Sequence, residues 1–234
     1  MNMNMTKPGF IAALIAASAL LCGAASATTI IGADQVVTGV PMTSGLAGTF
    51  WHTGTNTTNY MIAETLAARD ANTPNGHFTS TGVSYFGVDA STVTDFLASD
   101  SASYAGSVTD LSDGIFEFKG FIKVDGPGTI TFGLSHDDAT QLSIGNQILI
   151  SANCCGFQTE DAVFSAAGMY AIDLVYANTY YFNVGGAVVE LSANGQVIRD
   201  GLFQAVPEPG SAALMLIGAL GLMGVASRRK AIKK

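Results

Sequence analysis

Over residues 115–124 the side chains alternate strictly: Phe116, Phe118, Gly120, Ile122 and Val124 fall on one face, and Glu117, Lys119 and Lys123 on the other. A period of two is the signature of a half-buried strand and does not fit a helix, whose period is 3.6. Asp125-Gly126-Pro127-Gly128 then turns the chain, and Ile130, Phe132 and Leu134 alternate with Thr129, Thr131 and Ser135. A hairpin is the simplest reading of that pair.

Further strand-like pieces follow at short intervals, over 141–144, 147–151, 162–165, 169–177 and 187–193, and Asn194-Gly195 gives a tight turn into 196–198. Many short strands separated by Gly, Asn and Asp turns predict an all-β fold, an antiparallel β-sandwich, rather than a βαβ arrangement. Helix is minor, its best candidate being 93–98, where Thr92 and Asp95 stand at capping-box spacing. Residues 28–110 read as looser, with 53–59 and 71–80 dominated by Thr, Asn, Ser and Gly as surface loops. Pieces at 29–31, 48–51 and 83–86 are expected to join the same sheets, so the middle of the chain is a single domain without internal repeats.

Both ends of the 234 residues read as addresses rather than fold. Lys7 precedes an uncharged run with an apolar centre over 10–21, closing on Ala25-Ser26-Ala27. That is a secretory signal peptide, residues 1–27, with its cleavage site set by Ala25 and Ala27 and delivery by the Sec machinery. Leu21 stands before Cys22 where lipoprotein processing takes a small residue. At the other end Pro207-Glu208-Pro209 breaks the fold, residues 210–227 run without a charge, and Arg228-Arg229-Lys230 follows. Eighteen residues suffice for a tilted membrane helix, and the basic end keeps the C-terminus in the cytoplasm, leaving residues 28–205 outside. Between the two ends 17 carboxylates face only Arg69, Lys119, Lys123 and Arg199, a net charge of −13 that excludes nucleic acid as a partner.

The motif, span and basic end over 206–234 resemble the PEP-CTERM sorting signal. The resemblance implies that an exosortase-type transpeptidase in the membrane recognises Pro207, Glu208 and Pro209, with Arg228 and Arg229 as the stop, and passes the chain to the envelope or extracellular matrix. An ordinary single-span anchor is the alternative.

The pattern over 113–194 resembles the anthrax-protective-antigen-type β-sandwich, found also in flocculins and beside many glycosidases. It is carried by Gly120-Phe121-Ile122, Ser135-His136-Asp137-Asp138, Leu142-x-Ile144, Ala167-Gly168-x-Tyr170 and Gly185-Gly186-Ala187, with Gly45-Leu46-x-Gly48-x-Phe50 like that family's first strand. The resemblance implies a carbohydrate or exopolysaccharide ligand and Ca²⁺ held by Asp137 and Asp138, a pair joined in flocculins by a cis peptide. Calcium takes about 6–8 oxygens, so a loop carrying Asn178 and Asn183 is expected to complete the metal and glycan site. The alternative is that both aspartates cap a turn. Gly145 departs from the family, which places an aspartate there, and a ligand role resting on that aspartate is not carried over.

Cys154 and Cys155 are the cysteines left after export and are candidates for a vicinal disulfide, against free thiols or an intermolecular bridge. No catalytic residues are assigned: His52, His77 and His136 are the only histidines, and no nucleophile elbow, phosphate loop or metalloprotease helix is present. Trp51, Tyr180 and Tyr181 are read either as sugar-stacking or as core aromatics. The expected function is noncatalytic binding of an envelope polymer; the alternatives are a structural matrix module or an accessory to a glycoside hydrolase.

Overall fold

The alternating phenylalanines fill the space between two sheets. The computed structural model describes residues 28–53, 61–88, 91–179 and 186–206. In chain order the strands are β1 (Thr29–Ile31), β2 (Val36–Val37), β3 (Met42–Ser44), β4 (Leu46–His52), β5 (Gly76–Ser80), β6 (Ser84–Val88), β7 (Ala105–Gly106), β8 (Gly114–Val124), β9 (Gly128–His136), β10 (Thr140–Ile144), β11 (Gln147–Ala152), β12 (Gly156–Phe164), β13 (Gly168–Asn178), β14 (Gly186–Ala193), β15 (Gln196–Val197) and β16 (Leu202–Ala205). Among the described residues two α-helices, α1 (Ile62–Ala71) and α2 (Val93–Leu97), and two short 3-10 turns accompany the strands.

One sheet runs β1-β12-β9-β14-β15, with β6 also on β14. The other runs β11-β10-β13-β8-β4-β5-β7, with β2 on β13 and β16 between β3 and β8. The described strands therefore form a β-sandwich. Its pairings are antiparallel except β1 with β12, which is parallel. Phe116, Phe118, Phe132, Leu134, Phe164, Tyr170 and Tyr176 meet in the layer between the sheets, all fully buried.

The expected hairpin of residues 115–124 with 128–134 is not formed. β8 lies in the second sheet against β13, paired along its whole length from Gly114↔Asn178 to Val124↔Gly168, whereas β9 lies in the first sheet between β12 and β14. The three residues between them arch across the core. Each strand carries an apolar face, and facing sheets bury both faces where a hairpin would align them on one side.

The outer face of β8 is also covered. Ile115 and Glu117, on the face opposite the phenylalanines, are buried, because α1 packs Leu66 and Ala68 onto Trp51, Ile115 and Val175. Arg69 from the same helix reaches Glu117 Oε1 at 2.8 Å, and Lys119 Nζ reaches that oxygen at the same distance. Residues 62–80, read as loose, are thus largely this helix and strand β5. The capping box at α2 is present: Asp95 N–H donates to Thr92 Oγ1 and Thr92 N–H to Asp95 Oδ2. These bonds hold the Asp95 carboxyl below its ordinary range. Asn194 and Gly195 both take positive φ, 50° and 76°, as a two-residue β14–β15 turn demands.

Candidate functional site

Two short crossovers run side by side at one end of the sandwich. Residues 137–139 carry the chain from β9 in the first sheet to β10 in the second, and residues 153–155 carry it back from β11 to β12. The register on either side fixes their neighbourhood: His136 pairs with Gly156 and Thr140 with Ala152. Asp137-Asp138-Ala139 therefore faces Asn153-Cys154-Cys155. Ladders on both sides hold this juxtaposition, so it does not depend on the side chains of the crossovers themselves.

Asp138 is buried and adopts φ 77°, a left-handed conformation that aspartate tolerates better than most residues. The Asp137–Asp138 peptide is trans, since no cis bond occurs among the described residues, in contrast to the flocculin pair. Thr179, just beyond β13, donates both its backbone N–H and its Oγ1 to Asp138 Oδ2, at 2.6 and 2.7 Å. Asp137 N–H donates to Val188 O at 3.0 Å, tying the acidic pair to β14. His136 points inward with Nδ1 2.8 Å from Asp138 O. A carbonyl can only accept, so the proton sits on Nδ1, and the buried Nε2 has no hydrogen-bond partner among the described residues. Burial pushes the Asp138 carboxyl above its ordinary range, the Thr179 hydrogen bonds oppose this, and the charge of Asp137 adds to it.

Cys154 and Cys155 are exposed and bonded to each other as a vicinal disulfide. Their sulfur atoms and an Asp138 carboxylate oxygen all lie within 4.8 Å of one another. Next to them Asn153 Oδ1 accepts from Ile62 N–H at the start of α1, fastening the crossover to the helix. Asn178 sits at the end of β13 but turns away: its Nδ2 donates to Leu111 O at 2.9 Å. Its neighbour Thr179 is the residue that reaches the acidic pair. Asn183, Tyr180, Tyr181, the cleavage residues Ala25 and Ala27, and Pro207, Glu208, Pro209, Arg228 and Arg229 lie outside the described residues.

Trp51 belongs to the core, not to a sugar platform: it is 6% exposed under α1, with Nε1 donating to Asn72 O. Gly145 closes the β10–β11 turn with φ 61°, about 17 Å along β10 from Thr140 at the usual strand rise. The substitution of the family's aspartate therefore leaves the Asp137–Asp138 end untouched. A groove of about 460 Å³ lies elsewhere, on the outer surface of the second sheet over Gly120, Phe121, Ala171 and Asp173.

Residues 205–230 match the family model described as the PEP-CTERM protein-sorting motif. The chain carries that sorting motif. It begins where β16 ends, and Val206 N–H still donates to Pro41 O at 2.9 Å, so the motif follows the sheet with no intervening linker. No described helix is long and apolar enough to cross a membrane, and residues 210–227 lie outside the described set.

No curated protein matches the chain. Among solved structures, the PA14 domain of MpAFP antifreeze protein is similar at 22% identity and a TM-score of 0.59, over 75% of this chain and 98% of that one. A PA14 sugar-binding domain from an RTX adhesin gives 20% and 0.51, over 70% and 94%. The A domain of epithelial adhesin 9 from Candida glabrata, in complex with Galβ1-4GlcNAc, gives 13% and 0.51, over 72% and 93%. The fold is that of the protective-antigen-type (PA14) β-sandwich.

Proposed function

We propose that this is an exported, noncatalytic surface protein whose sandwich binds carbohydrate, an envelope glycan or exopolysaccharide, at the Asp137–Asp138 end. The observation that carries this reading is the abutment of the two crossovers, which sets an acidic pair at a rim with Asp138 anchored by Thr179. Sugar hydroxyls are read by fixed acceptors of this kind, and Asp137, beside the buried Asp138, is partly exposed. The sugar-binding domain of the RTX adhesin and the adhesin A domain solved with Galβ1-4GlcNAc share the fold and support the assignment.

Calcium belongs to the same proposal. Asp137 repels the buried carboxyl of Asp138, which a divalent cation would relieve, and hard oxygen donors suit calcium. The carboxylates of Asp137 and Asp138 would hold it, and Asn178, committed to Leu111, is not needed. The sorting motif supports export, anchoring by residues 210–227 and processing by an exosortase-type enzyme, with residues 1–27 removed as a signal peptide, 28–205 as the ectodomain and 206–234 as the sorting signal.

The test is a glycan array probed with the chain with and without chelator. Binding that is lost on chelation and in the Asp137→Asn, Asp138→Asn double variant supports the full proposal; binding insensitive to both removes calcium and this end of the sandwich. A second reading, a packing module of the matrix, draws on Phe86, Val88 and Phe157, 59%, 74% and 63% exposed on the outer face of the first sheet. An empty array with concentration-dependent self-association would favour it.

A further inference from the structure

We infer that Cys154, Cys155 and Asp138 form a thiol-dependent site for a thiophilic divalent cation, opened by reduction of the vicinal disulfide. The backbone sets the three residues together: the pairs His136↔Gly156 and Thr140↔Ala152 clamp both crossovers, so the two loops stay apposed when the S–S bond is cut. All three ligand atoms already lie within 4.8 Å of one another. Thr179 occupies Asp138 Oδ2 and leaves Oδ1 outside that pair of hydrogen bonds. Asn153 is fixed to the start of α1 at 3.0 Å, which restrains the sulfur-bearing loop from the other side. Both cysteines are exposed, so a reductant and an ion have access.

The chemistry selects the ion. In the oxidised state neither sulfur is a useful ligand, and the rim offers carboxylate oxygens alone, which suit a hard cation. Reduction by a dithiol donor supplies two electrons and two protons, converts the disulfide into two thiols, and leaves the donor as its own disulfide. A cation then displaces both thiol protons and binds two thiolates and one carboxylate. That donor set suits Zn²⁺ or Cd²⁺, with a fourth position open to water. Two thiolates beside a carboxylate repel strongly without a cation between them, so the ion is what permits both to be ionised at once. The same Asp138 thus faces a hard-cation rim when the disulfide is closed and a soft-cation site when it is open.

The probe is Cd²⁺ alone, titrated into the full chain in detergent, before and after treatment with a phosphine that reduces the disulfide and is itself oxidised to the phosphine oxide. The readout is the thiolate-to-cadmium charge-transfer band, with free thiols counted in the same sample. The expected result is one equivalent bound by the reduced chain and none by the oxidised chain. Asp138→Asn should weaken binding at least about tenfold, and Cys154→Ser with Cys155→Ser should abolish it although Cys22 remains. A reduced chain with its thiols confirmed and no band overturns the site, as does a band that survives the double serine variant. Unchanged affinity in Asp138→Asn overturns the carboxylate's place in it. None of these outcomes depends on glycan or calcium binding, so the site stands or falls apart from the proposed function.

Discussion

Thr179 holds Asp138 through two donors on one oxygen, its N–H at 2.6 Å and its Oγ1 at 2.7 Å. The acceptor is a buried carboxylate, so each bond is charge-assisted. Thr179→Val keeps the shape and removes the hydroxyl donor. It should lower stability by about 1.5–3 kcal/mol, the usual range for a hydrogen bond to a charged group. The urea midpoint at neutral pH should fall with an unchanged slope. An unshifted midpoint would show that the loop beyond β13 does not hold Asp138.

The Asp138 carboxyl also sets a pH dependence. Burial raises it above the ordinary 3.8, with Asp137 adding and Thr179 opposing. The folded chain then binds that proton more tightly than the unfolded one. Its contribution to stability is complete below the unfolded value and is lost as pH rises through the raised folded value. In chelator, wild type should lose stability relative to Asp138→Asn as pH climbs above about 4. Thermal melts of both chains across that range measure the difference, and a difference that grows in favour of wild type with pH would reverse the assigned sign.

The inner faces of the long strands were legible because one side of each is apolar: Phe116, Phe118, Phe132, Leu134, Ile172 and Leu174 announce themselves by spacing. Partnering was not. Asp125-Gly126-Pro127 has the composition of a hairpin turn and of an arch alike, and only the eleven-residue match of β8 with β13 decides between them. The start of β12 escaped because Phe157, Gln158 and Thr159 are exposed and carry no alternation. Helix α1 was hidden behind a Thr- and Asn-rich stretch, although Ala, Glu, Leu and Arg dominate its own sequence, and without it the reading of Trp51 as stacking or core stayed open. At the site, Asp137 and Asp138 stood out as an adjacent acidic pair. Thr179 did not, since one threonine in a loop carries no signal until the register brings it to Asp138.

Away from that end, Tyr85 closes a buried network. Its hydroxyl lies 2.6 Å from Asp100 Oδ2 and 2.7 Å from Ser80 Oγ, while Thr81 donates to the same carboxylate through N–H and Oγ1. Burial first, then the hydrogen bond to Asp100, pushes the phenol far above its ordinary range, so it stays a donor. Tyr85→Phe preserves the stacking on Phe118 and removes only this donor. The expected loss is again about 1.5–3 kcal/mol, read by chemical denaturation. Glycan binding, if the Asp137–Asp138 end is responsible, should not change.

Gly120 joins the core to the sorting motif. β4 and β16 lie end to end along one edge of β8, with Ala47 opposite Lys119 and Phe203 opposite Phe121, and Gly120 sits at the junction. A Cβ there would collide with the Phe203 carbonyl oxygen and approach Leu46 Cδ2 to 2.8 Å. The carbonyl belongs to backbone and cannot rotate aside, so β16 must move. That strand has four residues and its other neighbour β3 has three, so little else holds it. Gly120→Ala should therefore cost about 1–3 kcal/mol by overpacking, and the cost should be local. Amide hydrogen exchange separates the two possibilities. Gly45, Lys123 and Val206, whose N–H groups donate to Leu202, Gly201 and Pro41, should lose protection, while Ala177, bonded to Ala139 beside the acidic pair, should keep it. Uniform loss at all four amides would mean that β16 unfolds with the rest of the sandwich and does not detach as a unit ahead of the sorting motif.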